Sequence, residues 1–156
     1  PPMAYEAMEC LGGNGYVEEG LAARAFRELP LNAIWEGSGN VMALDLLRVL
    51  QREPETLEIV MDELSSAVGT DAHLKAHLGR IQAMLHEPRL LEQRGRSLAE
   101  GLATLAAATI LRAHAPAYVA DAFIATRLSG AARQTYGQGL DWADTRAIID
   151  RAAPEQ

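Results

Sequence analysis

The chain has 156 residues, 49% of them hydrophobic, and a formal net charge of −7, which fits one globular domain or two small helical units. The acidic charge argues against a dominant nucleic-acid footprint, and the single cysteine, Cys10, excludes an intrachain disulfide framework and fits a reducing cytoplasm. The longest apolar stretch, residues 102–111, is too short to cross a membrane.

Helical spacing of apolar residues begins at the start of the chain. Pro1-Pro2 runs directly into a helical pattern that predicts a first helix ending at Gly12-Gly13. Because no cap precedes this helix, we expect the chain to be a piece of a longer protein, called the parent below. A short helix is predicted over residues 21–28, then a loop broken by Pro30, then a helix over about residues 40–51.

Four amphipathic helices follow, separated by proline or glycine. Prolines in first turns and apolar residues at i, i+3, i+4 and i+7 place them at about residues 54–68, 71–85, 88–114 and 116–128. Beyond residue 139 we expect a loose tail with a marginal helical turn at residues 144–151. The predicted fold class is therefore all-α, an antiparallel helical bundle.

The junction at Arg52–Pro54 separates two parts of different character. The part before it is rich in loops and carries two glycine turns, whereas the part after it has the regular pattern of a bundle. We predict one region over residues 1–52, an additional helical region over 53–140 and a tail over 141–156.

Glu36 is the strongest candidate for chemistry. It follows Ile34 and Trp35 and precedes two glycines, Gly37 and Gly39. Apolar neighbours are expected to desolvate its carboxylate in part, which raises the pKa of such a group and makes it a stronger base. Taken alone, a loop carboxylate that caps the following helix is the more ordinary interpretation.

A second glycine turn, Gly12-Gly13-Asn14-Gly15, lies upstream of Glu36. Consecutive backbone N–H groups in such a turn can form an anion-binding concavity. No strand precedes this turn and its spacing differs from the Rossmann fingerprint, so it is not a dinucleotide motif of that kind. Most such turns only end a helix, and alone this one is weak evidence for a ligand.

Together the two segments resemble the C-terminal helical domain of flavin-dependent acyl-CoA dehydrogenases. The resemblance is carried by Leu11 to Tyr16, then Arg27-Glu28, then Ile34 to Asn40, then Arg48. The Trp-Glu-Gly-Ser-Gly-Asn form, with extra helices after Arg52, is most similar to the AidB-like branch. The wider family motifs cover about residues 3–52, and the AidB-like resemblance extends more weakly through the rest.

The resemblance implies a role for each matching residue. Glu36 matches the base that takes the alpha proton of an acyl-CoA thioester while the beta carbon gives a hydride to flavin N5. Trp35, where many members have tyrosine, is expected to shape the acyl pocket, and Arg48 matches a basic position near bound CoA. The residues expected to contact FAD are Gly12, Gly13, Asn14, Gly15, Ser38 and Asn40. Glu9 departs from the family, because many members place a glutamine there against the cofactor.

The resemblance also implies a setting for these residues. The family's N-terminal helical domain and central β domain supply much of the flavin and acyl-CoA site, and neither is in this sequence. We therefore expect the isolated chain to bind FAD weakly or not at all and to be inactive. The parent is expected to be a cytoplasmic homo-oligomer that acts on an acyl-CoA, with no membrane segment.

Two other functions stay open at this point. One is an AidB-like stress- or DNA-associated flavoprotein with little dehydrogenase activity, and the other is a helical module for subunit assembly. A local basic patch on the last helices could be formed by Arg89, Arg94, Arg96, Arg112, Arg127 and Arg133. Acidic residues interleave with these arginines, which favours ordinary surface pairing, so nucleic acid is a partner that the acidic charge does not favour.

His73 and His77 lie four residues apart in a predicted helix, a spacing that can clamp a metal ion. No third ligand is evident, and Lys75 and Arg80 nearby disfavour a cation, so we predict no metal site. Cys10 is expected to be a small buried apolar residue.

Overall fold

The computed structural model describes residues 1–129, 138–140 and 142–153. Within these residues the chain is α-helical, with 3-10 turns at Leu29–Ala33 and Pro88–Leu90 and no strand. The predicted all-α class is confirmed. The helices in chain order are α1 (Pro2–Cys10), α2 (Gly13–Tyr16), α3 (Leu21–Glu28), α4 (Gly39–Arg52), α5 (Pro54–Val68), α6 (Ala72–Leu85), α7 (Leu91–His114), α8 (Ala117–Arg127) and α9 (Thr145–Ala152).

Proline, glycine and aspartate set most helix ends. Pro54 opens α5, where its missing N–H costs nothing, and Gly69 ends α5 with a φ of 56°. Asp71 caps α6, since its carboxylate accepts hydrogen bonds from the backbone N–H groups of His73 (2.9 Å) and Leu74 (3.1 Å). These ends agree with the predicted ones because each depends on a local residue type.

Three local features differ from the predictions. The turn after Gly12 contains the one-turn helix α2. The long helix predicted from Pro88 starts at Leu91 instead, after a 3-10 turn in which the Leu91 N–H bonds the Pro88 carbonyl. The marginal helical turn expected near residue 144 is the helix α9, which Asp144 caps through the Ala147 N–H at 3.0 Å.

The chain divides into two compact units, Pro1–Met42 and Ala43–Gln156. The predicted region boundary at residue 52, which concerns family resemblance, stays a prediction. In the first unit α1, α2 and α3 pack together, but the buried residues are the small Ala4, Gly15 and Ala23. The unit exposes many large apolar side chains, among them Met3, Tyr5, Leu11, Tyr16, Leu21, Ile34 and Trp35. Apolar burial therefore contributes little to the stability of this unit on its own.

The second unit has a conventional hydrophobic core centred on the contact between α6 and α7. Its largest fully buried side chains are Leu74, Ile81, Leu98, Leu105 and Leu128. Gly101 on α7 permits the close approach of α6, because a Cβ there would lie 3.2 Å from Ile81 Cγ1. The helices α5 and α8 pack against this pair.

Arg112 on α7 joins two other helices of the second unit. Its guanidinium lies 2.8 Å from the Asp71 carboxylate at the start of α6 and 2.5 Å from the Asp121 carboxylate on α8. Partial burial raises the pKa of Asp71, but the backbone N–H groups of Leu74 and His73 and the Arg112 guanidinium together hold it below its ordinary value of 3.8. The ion pairs therefore favour the folded state above about pH 4 and lose that effect in stronger acid.

His77 on α6 makes a second polar link between these helices, to the middle of α7. Its Nε2 lies 3.1 Å from the Gly101 carbonyl oxygen on α7, and its Nδ1 lies 3.0 Å from Nη2 of Arg80. The same Arg80 nitrogen donates to the Leu128 carbonyl at the end of α8 (3.0 Å). This arrangement requires a neutral imidazole, because Nδ1 accepts a hydrogen bond from a cation. Burial lowers the pKa of His77 below 6.5, the Gly101 carbonyl opposes this shift, and the Arg80 charge adds to it.

A first prediction concerns His77 and pH. Because its pKa is lower in the folded state, the unfolded chain binds more protons below about pH 6.5, and the free energy of unfolding should fall as the pH drops from 6.5. His77→Gln keeps a donor for Gly101 and an acceptor for Arg80 but does not titrate, so urea unfolding between pH 7.5 and 5.5 should depend less on pH. His73→Gln, at an exposed residue of the same helix, is the control, and its free energy of unfolding should depend on pH as that of the wild type does. If the free energy of unfolding of His77→Gln depended on pH as strongly as that of the wild type, the role given to His77 would be wrong.

A second prediction compares two positions on α7. Leu105 is 0% exposed and Ile110 is 60% exposed. Truncation of a buried leucine to alanine leaves a cavity and typically costs about 2–5 kcal/mol, whereas an exposed position typically changes stability by about 0.5 kcal/mol or less. Urea unfolding followed by circular dichroism should therefore show a large loss for Leu105→Ala and little change for Ile110→Ala. Equal losses would show that the core is misplaced.

Candidate functional site

Glu36 has an unusual backbone conformation. Its φ is 59°, and no other non-glycine residue in the described part of the chain has a positive φ. The left-handed region costs an ordinary L residue about 1–2 kcal/mol, which is why glycine usually occupies it. Such conformations cluster at functional sites, so the backbone marks Glu36 independently of its sequence motif.

Hydrogen-bonded turns on both sides fix the position of Glu36. Before it, the N–H groups of Ile34 (2.9 Å) and Trp35 (3.1 Å) both donate to the Leu31 carbonyl. After it, the Ser38 carbonyl accepts the Met42 N–H at 2.9 Å and begins α4. Gly37 between them has a φ of 125°, and a Cβ there would lie 2.8 Å from the Met42 sulfur, so a side chain is doubly disfavoured at this position.

The Glu36 carboxylate is exposed and makes no hydrogen bond or ion pair with the residues that the structure describes. It therefore does not cap α4, which removes the ordinary interpretation of this residue. The expected partial desolvation is also not found in this chain. Ile34 and Trp35 are 66% and 59% exposed, so the two apolar neighbours point to solvent and leave the carboxylate uncovered.

The other predicted residues of this segment are accessible. The Ser38 hydroxyl and the Asn40 amide are exposed, and neither has a hydrogen-bond partner among the described side chains and backbone groups. Arg48 lies further along α4 and pairs with Asp45 at 3.1 Å. Both members of that pair are largely exposed, so it restrains Arg48 only weakly.

The residues of the upstream glycine turn differ in what the structure requires of them. Gly12 has a φ of 56° and precedes α2, and no side chain caps the N–H groups of the first residues of this helix, Gly13 and Asn14. A Cβ at Gly12 or Gly13 would meet no atom within 4 Å, so this side of the turn is open. At Gly15 a Cβ would overlap the Met8 carbonyl oxygen, so Gly15 is needed for packing against α1.

One feature of the first unit gave no signal in the sequence. Arg27 donates two hydrogen bonds to Glu18 (2.7 and 2.8 Å), which closes the loop between α2 and α3. The hydrogen bonds lower the pKa of Glu18 and raise that of Arg27. Beside the pair lies an open cavity of about 540 Å³, lined in part by Met8, Tyr16 and Phe26. The pair spans nine residues, which is not a helical spacing, and so the sequence pattern did not reveal it.

Comparison with known proteins adds family evidence to this geometry. Residues 3–51 match the family described as acyl-CoA dehydrogenase, C-terminal domain. The matched segment belongs to the acyl-CoA dehydrogenase family. It contains both the glycine turn and Glu36, so the resemblance predicted from these motifs is confirmed.

Two curated relatives extend the match. The Escherichia coli (strain K12) protein named "Putative acyl-CoA dehydrogenase AidB" is 41% identical over 101 residues, which are 65% of this chain and 18% of that protein. Caenorhabditis elegans "Acyl-CoA dehydrogenase family member 11" is 41% identical over 56 residues, which are 36% of this chain and 9% of that protein. The chain thus matches less than a fifth of the length of either relative, and the similarity to AidB reaches beyond the acyl-CoA dehydrogenase segment.

Several of the remaining candidate residues take part in structural contacts. Arg112 and Arg94 of the supposed basic patch are engaged in ion pairs, with Asp71 and Asp121 in the first case and Glu87 in the second, and Arg133 lies outside the described residues. Both ring nitrogens of His77 are occupied, so it cannot clamp a metal together with His73 as placed here.

Cys10 is exposed, so its predicted burial is wrong. None of the described helices is long and apolar enough to cross a membrane.

A third prediction tests the glycine turn. Gly15→Ala should disrupt the packing of α2 on α1, because the new Cβ would overlap the Met8 carbonyl. Gly13→Ala is the matched control, since its Cβ has free space, and it should be neutral or slightly stabilising. Hydrogen exchange of backbone amides in residues 1–42 should rise in Gly15→Ala and not in Gly13→Ala. The same exchange rates in both variants would contradict the described packing.

Proposed function

We propose that this chain provides the catalytic base and part of the FAD contacts for alpha,beta-dehydrogenation of an acyl-CoA thioester in its parent protein. The observation that carries the proposal is the strained backbone of Glu36 inside a segment of the acyl-CoA dehydrogenase family. A loop glutamate without a function would be free to relax or to be replaced by glycine. The absence of a capping role within the described residues supports the same view.

The proposed chemistry needs a base and stabilisation of the developing negative charge. The alpha proton of a thioester is weakly acidic, so a basic carboxylate must take it while hydrogen bonds stabilise the enolate oxygen. The Glu36 carboxylate fits the first role, since it is not engaged with any described residue. Its backbone N–H fits the second, because it donates no hydrogen bond within the described residues. Trp35 and Arg48 are proposed to contact the acyl chain and the CoA.

The residues proposed to hold FAD have suitable groups. The Ser38 hydroxyl and the Asn40 amide can donate hydrogen bonds, and the uncapped N–H groups of Gly13 and Asn14 are proposed to donate to an anionic group at the open turn after Gly12. Gly15 supports this turn through its contact with Met8. A bound FAD would supply the acceptor for the hydride of the beta carbon. Glu9 is the one departure, because a carboxylate is a poor neighbour for a pyrophosphate.

The remaining walls of the flavin and acyl-CoA site are proposed to come from other parts of the parent. Exposure of Glu36, Ile34 and Trp35 means that this chain alone does not supply the dry environment in which a carboxylate is strongly basic. We therefore propose that the isolated chain is inactive and binds FAD weakly or not at all. In this account residues 1–52 end the family's helical domain, residues 53–140 form an AidB-like addition, residues 141–156 are a tail, and the parent is a cytoplasmic homo-oligomer.

A fourth prediction tests the base. In the intact parent, Glu36→Gln should keep FAD bound but slow flavin reduction by acyl-CoA by about 10²–10⁴-fold, the usual contribution of a general base. The measurement is the loss of flavin absorbance after anaerobic mixing with substrate, with FAD content as the check on binding. Glu53→Gln, an exposed acid at the start of α5, is the control and should reduce normally. Reduction at a near wild-type rate in Glu36→Gln would refute the assignment.

A second candidate function, a helical module for subunit assembly, is favoured by one observation. The first unit exposes a large set of apolar side chains and buries only small residues. Exposed apolar surface of this kind marks interaction sites. Sedimentation of the chain over a range of concentrations tests this candidate, since an assembly module should associate as the concentration rises, and a chain that stays monomeric would count against it.

A further inference from the structure

A groove lies between α5 and α7 on the surface of the second unit. Its volume is about 470 Å³. Its walls carry Ile59, Val60 and Ala67 from α5, and Ala106, Ile110 and Ala113 from α7. None of these residues belongs to the proposed flavin or acyl-CoA site, so the groove requires a separate explanation.

The rim of the groove is apolar and accessible. Ile59, Val60 and Ile110 are 69%, 41% and 60% exposed, although each lies on a helix that also contributes to the core. The alanines between them are small and leave room for a backbone to approach. A continuous apolar surface of this kind is typical of an interaction site.

The spacing of the lining residues fits a helix. Along α5, Ile59 and Ala67 are eight residues apart, which is about 12 Å of helix. Along α7, the stretch from Ala106 to Ala113 has a similar length. Two walls of about two turns each form the type of groove that accepts an amphipathic helix through side chains at i, i+4 and i+7.

The charged residues around the groove indicate what charge a partner helix should carry. The helix α5 contains no lysine, arginine or histidine, and its acids Glu55, Glu58, Asp62 and Glu63 are all exposed. None of the four is in an ion pair within the described residues, and Glu63 itself lines the groove. The α7 wall brings His114 and no carboxylate. Glu63 thus places a carboxylate on the α5 wall, and the other acids of α5 are exposed on the same helix, whereas the α7 wall has none. A partner should therefore carry basic residues on the flank that faces α5.

We propose that this groove binds an amphipathic helix of another protein, with an apolar stripe of at least two turns and lysine or arginine along one side of it. Burial of Ile59, Val60 and Ile110 would provide affinity, and the unpaired acids of α5 would set the orientation. A second copy of this chain is the alternative occupant, and the self-association of the chain and of its variants distinguishes it from a helix of another protein.

The test uses the full 156-residue chain and a fluorescent, helix-stabilised 18-residue peptide. The peptide has leucines at i, i+4, i+7 and i+11 and lysines along one flank, and the control peptide has glutamates in place of the lysines. Fluorescence anisotropy at low salt should show at least tenfold tighter binding of the lysine peptide, with the difference shrinking as salt is added.

Variants locate the binding. Ile110→Ser should weaken binding of the lysine peptide at least tenfold, whereas Ile149→Ser, at an equally exposed isoleucine on α9, should leave it unchanged. Circular dichroism confirms that both variants are folded. Equal binding of the two peptides, or equal weakening by the two variants, would overturn the proposal. Self-association of the chain that Ile110→Ser abolishes would overturn it too, because the occupant would then be a second copy.

Discussion

The contact between α6 and α7 is the interaction on which the larger unit depends. Leucine and isoleucine side chains from both helices are fully buried there, and Gly101 lets the helices come close enough to exclude water. The polar links through Arg112 and His77 depend on this packing, because it fixes the positions of their partners. The groove between α5 and α7 is a consequence of the same arrangement, since α5 covers only part of α7.

The smaller unit is organised by backbone conformation more than by a core. Positive φ values occur at Gly12, Glu36 and Gly37, and Gly15 is restricted by the Met8 carbonyl. This unit carries both of the motifs that belong to the acyl-CoA dehydrogenase family. A segment that binds ligands through backbone groups needs turns of fixed shape, and it tolerates exposed apolar side chains if other parts of the parent cover them.

Sequence reasoning succeeded where local residue types decide the outcome. Pro54, Gly69 and Asp71 mark helix ends by their own chemistry, and the leucine spacing of the long helices identifies their buried faces. It failed for features that depend on residues far apart in the sequence or on the backbone conformation. The pairing of Arg112 with Asp71 spans 41 residues, and the exposure of Ile34 and Trp35 depends on what packs over them. The left-handed backbone of Glu36 could not be predicted, because nothing in its own chemistry favours it over a glycine.

The central claim is that Glu36 keeps a carboxylate where the backbone favours glycine. Its most direct test is the stability of Glu36→Gly and Glu36→Ala, measured by hydrogen exchange of the backbone amides of Ile34, Trp35 and Met42, whose hydrogen bonds flank this residue. We predict that Glu36→Gly is more stable than Glu36→Ala by about 1 kcal/mol, because only glycine adopts a φ of 59° without strain. Equal stability of the two variants, or greater stability of Glu36→Ala, would contradict the claim.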